Sequence, residues 1–361
     1  MIRQVAIVSG KGGTGKTSLT AAFAQLAAPA VLVDADVDAA DLHLVLAPHE
    51  CERHDYFSLP VARIAAENCM LCMACAHVCR FDAISLFQGL RPYGSDDPTP
   101  GLCQSLVSSA AIRNHGGIGF ADSMPPPLLG ARPDAGHRGV SGQAVVDESV
   151  CEGCRACALI CPVKAISFHP RCTGAWMVAD TTVGPLVHAR LHPGAEHAGK
   201  LTTAVRDRGR ALAAERGLDL MLIDGPPGIG CAATAAIAGV DLAVAVTEPT
   251  PAAEADLERL WQRTEQLRIP LALIVNRCDR NPVLAERMLA AASVRGGYPL
   301  GSLPTDQAFR AAQRAGTSVL EVAGPTLREA IQRVWERLRA ALDARTRCES
   351  DLPVPAERYV P

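Results

Sequence analysis

Residues 4–17 read QVAIVSGKGGTGKT, and this stretch decides the fold. Residues 4–9 are rich in β-branched side chains and predict a short strand. The glycine-rich segment 10–17 follows directly, and the alanine-rich stretch 18–28 after it predicts a helix. Glycines between a strand and a helix let backbone N–H groups converge on phosphate oxygens at the helix N-terminus. The order of strand, loop and helix therefore predicts a nucleotide-phosphate site in an α/β sheet.

The spacing within 10–17 is Gly, four residues, then Gly-Lys-Thr. This pattern predicts that Lys16 bridges the β- and γ-phosphates and that Thr17 ligates Mg²⁺. The remaining phosphate-binding candidates are the neighbours of these two residues, namely Gly10, Lys11, Gly12, Gly13, Thr14, Gly15 and Ser18.

Acidic residues end two further apolar runs. The strand predicted over 30–33 leads into Asp34-Ala35-Asp36-Val37-Asp38, and the continuous apolar run 220–223 leads into Asp224 and a Gly/Pro turn that ends at Gly228. A parallel α/β sheet places its ligand chemistry at the carboxyl ends of its strands. We expect Asp224 to hold Mg²⁺ through water and the N–H of Gly228 to bind the γ-phosphate.

Buried strands alternate with alanine-rich helices from 201 to 345, which predicts a parallel sheet with helices on both faces. The helix predicted over 326–345 carries one apolar face. We expect this face to dock on the core, with membrane-surface binding as the alternative.

A second lysine, Lys11, directly follows Gly10. This form of the loop resembles the deviant P-loop of the ATPase class that includes MinD, ParA, Mrp and the nitrogenase iron protein. The resemblance implies that Lys11 reaches the nucleotide of a facing subunit, so that ATP holds together a homodimer or a heterodimer with a paralogue. The alternative is a solvated surface lysine.

The same resemblance identifies 34–38 as switch I and 220–228 as Walker B with switch II. It implies that Asp36 is a magnesium carboxylate and that Asp38 orients the attacking water, with Asp34 and Asp41 as rivals and helix capping as the alternative role of Asp38. The catalytic candidates are thus Lys16, Lys11, Asp38 and Asp36.

The resemblance also places base recognition at the ends of two further strands. Asn276 would bind the adenine edge. Asp279 is a weaker candidate, because a similarly placed Asp reads guanine in the related GTPases.

Eight of the fourteen cysteines form two runs with identical spacing. When residues 69–86 are aligned with 151–168, nine of eighteen positions are identical, so the segment is an internal repeat. Three cysteines with two residues between neighbours suit one face of a [4Fe–4S] cubane. In two-cluster ferredoxins the fourth cysteine of each run ligates the other cluster. A zinc site leaves the third cysteine of each run unexplained.

The repeat therefore predicts two cross-ligated clusters. Cluster one is assigned to Cys69, Cys72, Cys75 and Cys161, and cluster two to Cys151, Cys154, Cys157 and Cys79. Arg80 stands where the second run has Pro162, and a charge beside a cluster can shift its potential or dock a partner.

The whole arrangement resembles a branch of MinD-type ATPases that carries an inserted bacterial-type ferredoxin and is loosely labelled cobyrinic acid diamide synthase-like. The expected fold is a parallel-sheet P-loop ATPase with an inserted α+β ferredoxin-like domain. The expected domains are 1–58 and 171–361 for the two parts of the ATPase and 59–170 for the insertion. Residues 92–143 contain seven prolines and nine glycines and predict a mobile excursion. Cys103 within it is most simply a solvent-facing or lightly packed thiol, with a labile ligand or a redox thiol as the alternative.

The expected function is an ATP-hydrolysing iron–sulfur protein that couples nucleotide state to electron transfer, with ATP, Mg²⁺ and two [4Fe–4S] clusters as cofactors. One alternative is an ATP-dependent carrier or assembly factor for iron–sulfur or metal cofactors, which would act on an apo-protein partner. A second is a MinD- or ParA-like positioning or regulatory ATPase.

Composition indicates which partners and which cellular compartment to expect. The net charge of −3 favours neither nucleic acid nor anionic membranes as partners, and we expect no membrane-spanning segment. Fourteen cysteines in 361 residues are too dilute for a disulfide scaffold, which indicates a reducing, cytoplasmic compartment.

Overall fold

The computed structural model describes residues 2–88, 142–195 and 198–350, with side chains up to residue 344. Most of the predicted excursion 92–143, with Cys103, lies outside the described residues. The chain divides into two compact units, the first formed by 1–60 and 170–361 and the second by 61–169.

The described part of the first unit contains nine strands: β1 (Arg3–Ser9), β2 (Val31–Asp34), β3 (His49–Phe57), β8 (Cys172–Thr181), β9 (Gly184–Leu191), β10 (Leu220–Pro227), β11 (Leu242–Thr247), β12 (Leu271–Asn276) and β13 (Tyr298–Leu303). Its helices are α1 (Lys16–Ala27), α2 (Leu42–Leu46), α5 (Ala198–Arg216), α6 (Cys231–Ile237), α7 (Pro251–Gln266), α8 (Pro282–Val294), α9 (Ala308–Ala315), α10 (Val319–Val322) and α11 (Pro325–Ser350).

These nine strands form one sheet in the order β13-β12-β11-β1-β10-β2-β9-β8-β3. The seven strands from β13 to β9 pair in parallel, as the alternation of strands and helices predicts. Val5 on β1 lies opposite both Leu222 on β10 and Leu242 on β11, so the loop after β1 and the acidic residue after β10 reach the same edge of the sheet. This register positions the site described below.

The sheet departs from the parallel expectation at one edge, where β9 pairs antiparallel with β8 and β8 pairs antiparallel with β3. The physical reason lies in chain connections: only two residues join β8 to β9, and a connection this short suits a hairpin. Strands β3 and β8 also lead the chain into and out of the second unit.

Two apolar clusters cover the two faces of the sheet. The predicted face of α11 is buried in the first cluster, and its docked residues are Leu327, Ile331, Val334, Trp335, Leu338 and Leu342. Among the described residues, no helix has both the length and the apolar character needed to cross a bilayer.

The second unit contains strands β4 (Val61–Ile64), β5 (Ile84–Gln88), β6 (Gly142–Val146) and β7 (Ile166–His169), with helices α3 (Ala74–Val78) and α4 (Ala156–Ile160). β4 pairs antiparallel with β7, and β5 pairs antiparallel with β6. The residues before α3 and α4, Met73 and Arg155, both adopt left-handed backbone angles. The internal repeat in the sequence is therefore also a repeat in the backbone.

Candidate functional site

The loop between β1 and α1 has the conformation that its glycines allow. Gly13 and Gly15 have φ angles of 77° and 94°, a region that disfavours residues with a Cβ. A Cβ on Gly15 would also lie 2.7 Å from Nδ2 of Asn276, so that position needs glycine for space as well. The first residue of α1 is Lys16, so the helix N-terminus opens onto the loop.

Asp224 at the end of β10 is the centre of the site and is 1% exposed. Its Oδ1 lies 3.0 Å from Nζ of Lys16, and its Oδ2 accepts a 2.6 Å hydrogen bond from the hydroxyl of Thr17. The hydroxyl of Thr20 also donates to Oδ1, at 3.0 Å. Asp224 therefore directly contacts the predicted phosphate lysine, Lys16, and Thr17, another of the three residues predicted to hold magnesium.

Electrostatics at this point favour a cation. Burial disfavours the charged form of Lys16, but attraction to Asp224 and the hydrogen bond that the ammonium donates to that carboxylate raise the pKa of Lys16. Complete burial, with repulsion from Asp224, raises the pKa of Asp34 well above its ordinary value. Burial, with a smaller contribution from Asp224, raises the pKa of Asp36 to about 6. Three carboxyl groups thus share one nearby ammonium, and a divalent cation would relieve their repulsion.

The four acidic candidates of switch I take different places. Asp34 is fully buried and accepts hydrogen bonds from the backbone N–H groups of Asp36 and Leu42, so it shapes the loop. Asp36 lies 4.0 Å from Nζ of Lys16. Asp36 and Asp41 line the cleft over the glycine loop, whereas Asp38 is exposed and is not among its lining residues.

The cleft encloses about 1080 Å³ of space that is open to solvent. It is lined by the predicted phosphate-binding residues from Gly12 to Ser18 together with switch I, Pro227 and Gln313. Gly10 and Lys11 are outside this lining: Gly10 packs against Asp256, and Nζ of Lys11 lies 3.6 Å from Glu248.

Two predicted nucleotide contacts are occupied by the chain itself. The N–H of Gly228 donates to the carbonyl oxygen of Ser9 at 2.8 Å, so a γ-phosphate contact would require switch II to move. Asn276 is 2% exposed; its amide donates to the carbonyl of Thr14 at 2.8 Å and its oxygen accepts from the N–H of Arg277. The structure therefore places Asn276 behind the glycine loop, where both ends of its side chain are used.

Asp279, the weaker base candidate, is also engaged. Its Oδ1 accepts a hydrogen bond of 2.5 Å from the backbone N–H of Thr305, which lowers the pKa of this carboxyl.

The second unit gathers the cysteines into two groups of four. One cavity, with about 340 Å³ of unfilled space, is lined by Cys69, Cys72, Cys75 and Cys161. The other, with about 330 Å³, is lined by Cys79, Cys151, Cys154 and Cys157. Each cavity therefore combines three cysteines of one run with the fourth cysteine of the other run.

Within the described residues, no three His, Cys, Asp or Glu side chains converge closely enough to hold a single metal ion. Single-ion geometry among these residues therefore does not support the expectation of bound clusters. The donor set itself suits a cubane, in which each of the four thiolates binds a different iron. The remaining lining of the first cavity is apolar, and apolar walls limit solvent access to a metal centre.

Comparison with known proteins identifies the nucleotide-binding unit. Residues 5–319 match the model of the CobQ/CobB/MinD/ParA nucleotide binding domain. The chain belongs to this family. The sheet, the glycine loop and Asp224 all lie within the matched residues.

One relative is the uncharacterized protein MJ0578 of Methanocaldococcus jannaschii, which is 26% identical over 287 residues that cover 78% of this chain and 81% of the relative. A similar solved structure is the septum site-determining protein MinD of Pyrococcus horikoshii with Mg-ADP, at 17% identity and a TM-score of 0.50, covering 96% of this chain and 99% of that chain. A further one is the MinC:MinD cell division complex of Aquifex aeolicus, at 14% identity and a TM-score of 0.47, covering 99% of this chain and all of that chain.

Identities this low show the fold alone. Of the three functions expected from the sequence, the family match agrees best with the MinD- or ParA-like alternative. Neither the family description nor the names above mention an iron–sulfur cluster or electron transfer, so the comparisons give the redox expectation no support.

Two residues of this family member contact the site without having been predicted from the sequence. Thr20 follows Lys16 by four residues on α1, a spacing that places both on one helix face and could have identified it. Glu248 directly follows β11 and is 3% exposed. Its position at the carboxyl end of a central strand could have identified it as a site residue.

Proposed function

We propose that this member of the MinD/ParA family binds and hydrolyses ATP with Mg²⁺ and dimerises when ATP is bound. The observation that carries the proposal is the buried contact of Lys16 and Thr17 with Asp224. A β/γ-phosphate in the cleft would compete with Asp224 for the ammonium of Lys16, because both are anions. Lys16 would then move a short distance from Walker B to the nucleotide.

Thr17, Asp36 and Asp224 fit a magnesium site, since hydroxyl and carboxylate oxygens are the ligands this ion prefers. Bound Mg²⁺ would supply charge neutralisation for the developing phosphate charge. The chain's own contributions are the glycine-loop N–H groups, the charge of Lys16 and a carboxylate that orients water. We assign that last role to switch I, with Asp36 and Asp41 at the cleft and Asp38 exposed beside it.

The first test replaces Lys16 by Ala and measures phosphate release from ATP. We expect turnover to fall at least a hundredfold, because the lysine charge acts on the phosphates in the transition state. Lys200→Ala, an exposed lysine on α5, is the matched control and should keep full activity. Undiminished hydrolysis by the Lys16 variant would contradict the assignment of the site.

The second unit supports a further candidate, in which the chain holds two [4Fe–4S] clusters whose redox state is coupled to the nucleotide. The supporting observation is the division of eight cysteines into two cavities of four, with the fourth cysteine exchanged between the runs. The carrier and regulatory alternatives use the same ATPase core, and the comparisons favour the regulatory one.

Cluster content is tested with Cys75→Ala, and Cys51→Ala, an exposed cysteine of β3, is the control. We expect about eight iron atoms per anaerobically reconstituted wild-type chain and about four or fewer in the Cys75 variant. The Cys51 variant should match the wild type. A wild-type chain without iron and sulfide would remove the cluster proposal and leave the ATPase proposal standing.

Coupling is tested by titrating the cluster potentials with MgADP and then with a non-hydrolysable MgATP analogue. A one-electron shift of about 59 mV is a tenfold coupling, and linkage requires the same factor in nucleotide affinity. Unchanged potentials with both clusters present would favour the carrier or regulatory alternative over electron transfer.

A further inference from the structure

Glu248 is a buried carboxylate surrounded by cations. Its side chain is 4% exposed, and its Oε2 lies 3.6 Å from Nζ of Lys11 and 3.7 Å from Nη1 of Arg280. Its Oε1 accepts a hydrogen bond from Arg277. One carboxylate therefore pairs with three positive groups, of which only Lys11 belongs to the glycine loop.

Arg277 connects this cluster to the nucleotide loop a second time. It has left-handed backbone angles directly after β12, and its Nη2 donates to the carbonyl oxygen of Gly13 at 3.0 Å. Glu248 thus contacts Lys11 directly, and it is linked to Gly13 through Arg277, which contacts both. These contacts are separate from those of Lys16, which pairs with Asp224.

We propose that Glu248 is a positioning residue that holds Lys11 against its own chain and releases it when the ATP-bound dimer forms. The inference rests on the proposed ATP-bound dimer, and on the reach of Lys11 to the nucleotide of the facing subunit that the family resemblance implies. A lysine paired with Glu248 of its own chain cannot make that contact, so the pair opposes dimerisation.

The release is physically reasonable because Glu248 keeps two cations when Lys11 leaves. Breaking a buried ion pair is costly when it strands a charge, and here Arg277 and Arg280 still neutralise the carboxylate. The side chain of Lys11 is 40% exposed, so water already shares its charge. The contact is therefore weak enough to exchange for a phosphate oxygen.

The test measures dimerisation of the full chain by analytical ultracentrifugation with Mg²⁺ and a non-hydrolysable ATP analogue. Glu248→Gln keeps the size of the side chain and removes its charge. A two-fold dimer releases two such contacts, so we expect the dimer dissociation constant to fall about tenfold, which corresponds to 1.4 kcal/mol. Glu248→Asp, with a carboxylate one methylene shorter, should show a smaller change in the same direction and serves if the Gln variant does not fold.

Two further variants separate release of Lys11 from general loosening of the loop. Arg280→Gln removes another partner of Glu248 but leaves Lys11 in place, so it should not tighten the dimer. In a Lys11→Ala background, Glu248→Gln should have no effect on the dissociation constant and should not restore a lost dimer.

The outcomes distinguish the inference from the function it rests on. A wild-type chain that stays monomeric with the analogue overturns the proposed ATP dimer and the inference with it. A wild-type chain that dimerises no more weakly than the Glu248→Gln variant overturns the inference alone, and so does equal tightening by Arg280→Gln.

Discussion

Replacing the glycines of the nucleotide loop one at a time by alanine tests the geometry of the site. A Cβ added at Gly12 would have no neighbour within 4 Å, and the φ angle of this residue is not in the left-handed region. Gly13 has the same free space but a φ of 77°. Gly15 has both a φ of 94° and an obstacle, since its Cβ would lie 2.7 Å from Nδ2 of Asn276. The three positions therefore form a graded series within one loop.

The expected losses in unfolding free energy follow from this geometry. Left-handed backbone costs a residue with a Cβ about 1–2 kcal/mol, which applies at Gly13 and Gly15. At Gly15 the Cβ also displaces the amide of Asn276 from the carbonyl of Thr14, and an unpaired buried polar group costs about 1–3 kcal/mol. Reduced entropy of the unfolded chain returns about 0.4–1 kcal/mol to every alanine variant. We expect about zero or a slight gain for Gly12→Ala, a loss of up to about 1.5 kcal/mol for Gly13→Ala and about 2–4 kcal/mol for Gly15→Ala.

The assay is urea unfolding of the nucleotide-free chain, followed by tryptophan fluorescence. All three tryptophans, Trp176, Trp261 and Trp335, belong to the first unit, so the signal reports on the unit that contains the loop. A Gly15→Ala variant that is as stable as Gly12→Ala would refute the assigned loop conformation and the buried contact between Asn276 and Thr14.

Two more predictions concern the carboxylates of the site. Between about pH 4 and 6 the unfolding free energy of the nucleotide-free chain should fall as pH rises. The reason is that Asp36, with its pKa raised to about 6, keeps in the native state a proton that the unfolded chain releases near pH 3.8. Asp36→Asn should flatten this slope in urea titrations at several pH values, and an identical slope would contradict the assigned role of Asp36. Thr20→Val should lower the unfolding free energy by about 1–3 kcal/mol by removing a buried hydrogen bond to Asp224, whereas Thr203→Val, whose exposed hydroxyl bonds only the carbonyl of Gly199, should change it little.

The sequence allowed prediction of the central fold because its strongest signals are local. A strand, a glycine loop and a helix adjoin one another in 4–28, and their periodicity does not depend on distant residues. The antiparallel pairing of β3 with β8 was not predictable in this way, since it joins residues separated by more than a hundred positions. The family match over 5–319 confirms the nucleotide-binding core, while the cluster expectation stays a prediction.

Within the site, the sequence motifs indicated which residues to expect but not which residues contact one another. The motifs named Lys16, Thr17 and Asp224, but they could not indicate that Thr17 and Asp224 hydrogen-bond each other directly. Likewise, Asn276 was expected to bind the adenine base, because its motif resembles that of related nucleotide-binding proteins. In the structure its amide donates a hydrogen bond to the carbonyl oxygen of Thr14. A motif records which side chain the chemistry requires, and the partner of that side chain depends on the three-dimensional register of separate strands.

Glu248 shows the consequence for function. Its neighbour Lys11 follows β1, whereas Arg277 and Arg280 both follow β12, so no spacing in the sequence brings the lysine and the two arginines together. These groups meet because parallel register brings the carboxyl ends of β1, β11 and β12 to one edge of the sheet. At this edge a single carboxylate contacts the lysine predicted to leave its own chain and the arginine that contacts the nucleotide loop. Any change that moves Lys11 toward a partner must therefore redistribute charge around Glu248, which makes that carboxylate the natural place to alter the balance between monomer and dimer.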